Sequence, residues 1–131
     1  MRYFLILLLV IQVSGCGSIN KFDYQNGQIM TANVGSTMIR WTQGSQFGLA
    51  KYGKEMELVY SGKTDSTLRL SYREYVYDRT VLLARPAFSQ DLTYDLKISK
   101  QIAFQDILLE VQDADNSKVT FKVVKAMTFA K

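Results

Sequence analysis

Over much of the chain between Glu55 and Lys125, apolar residues recur at every second position. That period restricts the fold more than any other feature. Across 55–61, Met56, Leu58 and Tyr60 share one side and Glu55, Glu57 and Val59 the other. Across 67–77, Leu68, Leu70, Tyr72 and Val76 alternate with Arg69, Ser71, Arg73, Tyr75 and Tyr77. Farther on, Phe88, Leu92, Tyr94, Leu96 and Ile98 alternate with Ser89, Asp91, Thr93, Asp95 and Lys97, and Val119, Phe121 and Val123 with Lys118, Thr120 and Lys122. Successive side chains of a strand point to opposite faces, so this pattern describes strands with one buried and one wet face. A helix would need apolar residues three and four apart, and no stretch sustains that spacing.

Turn chemistry divides the strands. Shorter strands are expected at 29–34 and 37–42, broken at Gly35 and Ser36, and at 102–104. Residues 43–53 hold three glycines without a clean period and read as a loop, with a helical turn near 47–52. Asp78 and Arg79 punctuate the chain, and the one proline, Pro86, suits the first residue of a strand or a sheet edge because it donates no ladder hydrogen bond. Strands at 107–112 and 118–125 flank a hairpin loop at 113–117, and 127–131 reads as a last short strand or a frayed end. Short strands joined by polar turns predict an all-β fold, a small antiparallel sandwich or barrel.

The amino terminus is of a different kind. Arg2 and the terminal amine precede the apolar run 4–13, interrupted only by Gln12, and small residues then lead to Cys16. Charge, apolar run and small residues form the pattern of a cleaved secretory signal. The run is too short for a membrane span, which needs roughly 20 apolar residues. Val13-Ser14-Gly15-Cys16 resembles the lipobox of bacterial lipoproteins, with Val13 in place of the usual leucine. The resemblance covers only about the first 16 residues. It implies a diacylglycerol on Cys16 through a thioether, cleavage before that residue, and an acyl group on the new amino terminus. One acyl chain gives reversible membrane binding, whereas two or three hold a protein permanently. By this reading the globular part needs no membrane-binding surface of its own. Gly17 and Ser18 after the cysteine, with no aspartate there, imply an outer-membrane lipoprotein facing the periplasm. The expected division is a signal peptide at 1–15, an acylated tether at 16–28 and a β-rich domain at 29–131.

Removal of 1–15 from 131 residues leaves 116, one domain's worth. Arg2 leaves with the leader, so 15 lysines and arginines face 12 acids, a net charge of +3. That is too little concentrated charge for a nucleic-acid binder. Cys16 is the only cysteine, so once acylated it leaves no disulfide, and packing alone must hold the core. The absence of histidine removes Ser-His-Asp and Cys-His catalysis and the usual nitrogen and sulfur zinc ligands. No catalytic residue, metal ligand or cofactor is assigned beyond the covalent lipid.

The candidate sites follow from residue type. Glu55 and Glu57 lie two apart on one strand face, near the spacing of glycosidase carboxylates, but such pairs come from separate elements flanking a cleft. They read as a solvated face. Asp113, Asp115 and Asn116 resemble half a calcium loop, but the glycine and distant glutamate of that spacing are missing, and the residues read as a hairpin turn on backbone grounds. Arg69, Arg73, Tyr75, Tyr77, Arg79 and Arg85 form the leading candidate for a partner surface, since arginine and tyrosine are enriched at interface hot spots. Arginine stems lying across tyrosine rings on a solvated sheet face would give the same pattern. Trp41, the one tryptophan, is expected in the core. Its other role would be stacking on a ligand such as a sugar ring, with Arg40 and Gln43 as polar neighbours. The expected function is non-catalytic binding or scaffolding of another envelope protein. An inhibitor of a cell-wall or proteolytic enzyme is the alternative, although lipoprotein lysozyme inhibitors usually carry a disulfide. A hydrolase built on carboxylates is the third reading.

Overall fold

The computed structural model describes residues 15–129, with the backbone alone for 84–87. Gly15 and Cys16 are the first described residues, so Val13, Ser14 and the expected leader lie outside them, as do residues 130 and 131. Among the described residues every regular element is a strand: β1 (Gly17–Ser18), β2 (Lys21–Phe22), β3 (Ile29–Asn33), β4 (Thr37–Phe47), β5 (Ala50–Thr64), β6 (Thr67–Arg79), β7 (Val81–Asp95), β8 (Gln101–Phe104), β9 (Ile107–Ala114) and β10 (Lys118–Lys125). One antiparallel sheet runs β1–β4–β5–β6–β7 with β2 also beside β4, and the other runs β3–β10–β9–β8. Packed face to face, they form a small β-sandwich.

The inward residues meet where the pattern predicts, but Glu57 and Val59, expected on the wet side of β5, are buried as well. Leu58, Tyr60, Leu68 and Leu70 of the larger sheet pack with Ile102, Leu109, Val119, Phe121 and Val123 of the smaller one in a single buried cluster. Each such side chain contributes about 1.5–3 kcal/mol on leaving water. A bulge in β4, between the Thr37–Val59 and Ile39–Leu58 pairs, lets the adjacent Met38 and Ile39 both be buried. The Tyr60 phenol donates to the Asp115 carbonyl and so ties the larger sheet to the β9–β10 turn.

Several expectations need correction. Residues 43–53 are neither loop nor helical turn: β4 continues to Phe47, turns at Gly48 and Leu49, and returns as β5. The glycines serve a close approach between strands. Gly44 lies opposite Gly53, and a Cβ on Gly53 would overlap the Gln43 carbonyl and the Gly44 Cα. Gly53 also has φ +135°, a conformation that favours glycine. Pro86 does lie in an edge strand, but inside β7 rather than at its start. Pairing passes from Arg73–Ser89 to Tyr75–Ala84, so residues 85–88 bulge opposite Glu74 alone. Ile98 leaves the apolar face of β7 because the strand ends at Asp95, and it is 84% exposed in the turn that follows.

The segment 16–28 does not stand off as a tether. β1 and β2 pair with β4, and Ile19 and Tyr24 are buried. Gly27 donates its N–H to Val123 at 2.7 Å, and Phe22 stacks on Phe129 at 5.0 Å. Three apolar side chains in a polar stretch, Ile19, Phe22 and Tyr24, are enough to bind it down. Residues 126–129 form no strand, but Met127 and Phe129 pack against the core. No helix among the described residues is long and apolar enough to cross a membrane.

Candidate functional site

The outward face of the larger sheet gathers the arginine and tyrosine residues around two glutamates. Antiparallel register places Glu57 opposite both Arg40 and Arg73, and Glu55 opposite Tyr75. The tyrosines reach diagonally: Tyr75 donates to Glu57 Oε1 at 2.9 Å and Tyr77 to Glu55 Oε2 at 2.9 Å. Arg40 bridges the two carboxylates, with Nε 3.3 Å from Glu55 and Nη2 3.2 Å from Glu57. Thr37 donates to Glu57 Oε2 at 2.7 Å, and Arg73 Nη1 lies 3.8 Å from Glu57 Oε1. Glu57 itself is buried at 4% exposure, unusual for a carboxylate on an outer face.

The electrostatics follow from this geometry. Burial pushes the Glu57 carboxyl upward, but hydrogen bonds from Thr37, Tyr75 and Arg40 outweigh it and hold the group below its ordinary value. Burial and the neighbouring carboxylates push the Tyr75 and Tyr77 phenols upward. Burial opposes the charge on Arg40, and its glutamate partners more than restore it. Each carboxylate is thus held by a cation and a phenol. Within the cluster, two arginines balance two glutamates.

Arg73, Tyr75 and Tyr77 are brought together here. Arg69 lies farther along β6 on the same face by alternation, and Arg79, at φ +58°, sits where β6 turns into β7, opposite Lys51. Arg85 falls on the β7 bulge, and its side chain lies outside the described residues. Arg40 was the missed member. It does not accompany Trp41, because neighbours on a strand point to opposite faces. Alternation alone could have set it on the face away from Trp41, but its place opposite Glu57 depends on the register between β4 and β5.

Trp41 is 1% exposed and stacks on Tyr72 at 6.1 Å between ring centres. Its indole thus belongs to the core, yet it borders a cavity of 330 Å³ with Gln43, Lys54, Tyr72, Glu74 and Phe88. Glu74 is buried there and pairs with Lys54 at 2.8 Å. A second cavity, of 440 Å³ at the opposite end, is lined by Lys63, Lys97, Lys100, Asp65 and Asp113 among others. Asp115 serves its turn: its carboxylate accepts hydrogen bonds from Ser117 and the Lys118 N–H, which lower it to about 2. No cluster of three or more metal-ligating side chains occurs among the described residues.

Cys16 is exposed and immediately precedes β1. Comparison with protein-family models, curated proteins and solved structures finds no match for this chain.

Proposed function

We propose that this protein is a bacterial lipoprotein, held by lipid on Cys16 in the outer membrane and facing the periplasm. It acts there without catalysis, by binding or scaffolding another envelope protein through the outward face of its larger sheet. The observation that carries the partner surface is the lattice of Arg40, Glu55, Glu57, Arg73, Tyr75 and Tyr77. Its charged groups are spent on one another, which suits a preorganised docking face better than acid–base chemistry. Side chains fixed before binding lose little entropy when a partner arrives. The anchor rests on the small-residue approach to Cys16 and on the exposure of that residue at the edge of the fold.

Two experiments test the parts separately. Mass analysis of the amino-terminal peptide should find diacylglycerol and an acyl group on Cys16, and an unmodified peptide from membrane-derived protein would refute the anchor. A photo-crosslinking residue at Arg73 should capture one discrete envelope protein in living cells, while the same residue at Lys122 on β10 should not. The partner-face reading fails if Arg73 captures nothing or if both sites trap the same species.

A further inference from the structure

The position of Cys16 follows from its neighbours. Gly17 pairs with Gln46 and Ser18 with Ser45, so Cys16 lies one step beyond, beside Phe47 where β4 turns into β5. That end of the larger sheet also carries a concentration of uncovered apolar side chains. Phe47 is 59% exposed, Leu49 87%, Tyr52 48%, Val81 52%, Leu82 40% and Leu83 50%. They belong to the tips of the β4–β5 and β6–β7 hairpins, which register holds side by side through the Tyr52–Asp78 and Asp78–Val81 pairs. Single exposed apolar residues are ordinary, but a contiguous group marks a contact surface.

Charge identifies what the tips meet. Lys51 on β5 stands directly opposite Arg79 on β6. Like charges facing each other across a strand pair repel. The acid at the tip, Asp78, lies between them in sequence but points to the other face by alternation, and Lys51 Nζ lies 6.0 Å from the Tyr77 ring centre. An anionic surface would relieve the repulsion. Apolar tips, aromatic residues and cations beside a lipid-bearing cysteine match the layering of a bilayer interface, where aromatic rings sit at headgroup depth.

We propose that the two hairpin tips form a foot that seats on an anionic phospholipid bilayer. Leu49, Leu82 and Leu83 enter the interfacial layer, while Lys51 and Arg79 meet headgroup phosphates. The foot rests on the reading of Cys16 as acylated and deepens it. The lipid supplies attachment and the foot supplies orientation. The sheet then stands on the membrane with its Asp65–Ser66 turn roughly 40 Å away along β6, at about 3.3 Å per residue. The Arg73 face is thereby presented sideways to partners rather than downward.

Acylation blocks the Cys16 thiol, so an introduced cysteine is the sole labelling site in the acylated protein. A solvatochromic fluorophore on Leu49→Cys is compared with one on Ile98→Cys, which is equally exposed at the opposite end. The acylated chains are reconstituted in phosphatidylglycerol–phosphatidylethanolamine vesicles containing nitroxide-labelled lipid. The probe at 49 should shift to the blue and lose at least half its emission to the nitroxides, with the probe at 98 unchanged. Two wet probes on a chain whose Cys16 peptide carries lipid would overturn the foot and leave the anchor standing. If Cys16 carries no lipid, the anchor falls, and the same two probes on a Cys16→Ser chain with added vesicles decide the foot by the same criterion. A probe at 49 already shielded without vesicles overturns it in favour of contact between two copies of the chain.

Discussion

Replacing Glu57 by glutamine tests whether the outward lattice is held by charge. The side chain keeps its shape, but one oxygen becomes an amide that donates toward groups that already donate. In the parent, Glu57 accepts from Thr37 at 2.7 Å, Tyr75 at 2.9 Å and Arg40 at 3.2 Å. Hydrogen bonds to a charged partner contribute about 1.5–3 kcal/mol and neutral ones about 0.5–1.5, so three of them weaken by about 1 kcal/mol each. Relief from burying a charge returns part of that loss, and Arg40 and Arg73, nearly half exposed, are screened by water. The net expectation is a loss of about 2 kcal/mol at pH 7, or a Tm lower by about 6–10 °C for a domain of this size. The sign of the pH dependence is a second check. The Glu57 carboxyl is lowered from 4.5, so its stabilisation is complete above that pH and disappears as pH falls through the depressed value. Urea titrations of parent and Glu57→Gln at pH 7, and at the lowest pH where both fold, measure both quantities. A difference below about 0.5 kcal/mol at pH 7, or one that does not shrink in acid, would refute the argument.

Gly53→Ala is expected to cost about 3 kcal/mol, because it forces a side chain into φ +135° and against the Gln43 carbonyl. Chemical denaturation that finds the variant as stable as the parent would show that the two strands do not approach as described. Alkali should unfold the protein through its tyrosines. Burial raises Tyr24 to about 12, and Tyr60, Tyr75, Tyr77 and Tyr94 are raised as well. The folded chain holds these protons more tightly than the unfolded chain, so stability falls as pH rises from 10.0 toward 12. Tyrosinate absorbance should therefore rise together with loss of the β signal, and a smooth titration at 10.0 in a protein still folded would contradict this.

How much of the molecule could be read beforehand varied with the range of the interaction. The inward residues of β6 and β10 were legible because their alternation is local and unbroken. Residues 43–53 were not, since Gly44 and Gly53 look like loop residues until they are placed opposite each other. The segment 16–28 is illegible for a related reason: Ile19, Phe22 and Tyr24 show no period and acquire meaning only against β4 and the carboxyl-terminal tail.

The candidate site divides along the same line. Sequence alone determined the all-β class, the faces of the longer strands and the residue types on the outward face, because side-chain direction along a strand depends only on parity. It also determined that no disulfide joins the sheets, since Cys16 is the sole cysteine. Only the tertiary structure decided that Arg40 bridges Glu55 and Glu57, that four residues of β7 bulge opposite Glu74, and that Cys16 lies beside the apolar hairpin tips. Register between strands distant in the chain sets each of these contacts. Register is the joint outcome of turns, bulges and core packing, and no single segment encodes it.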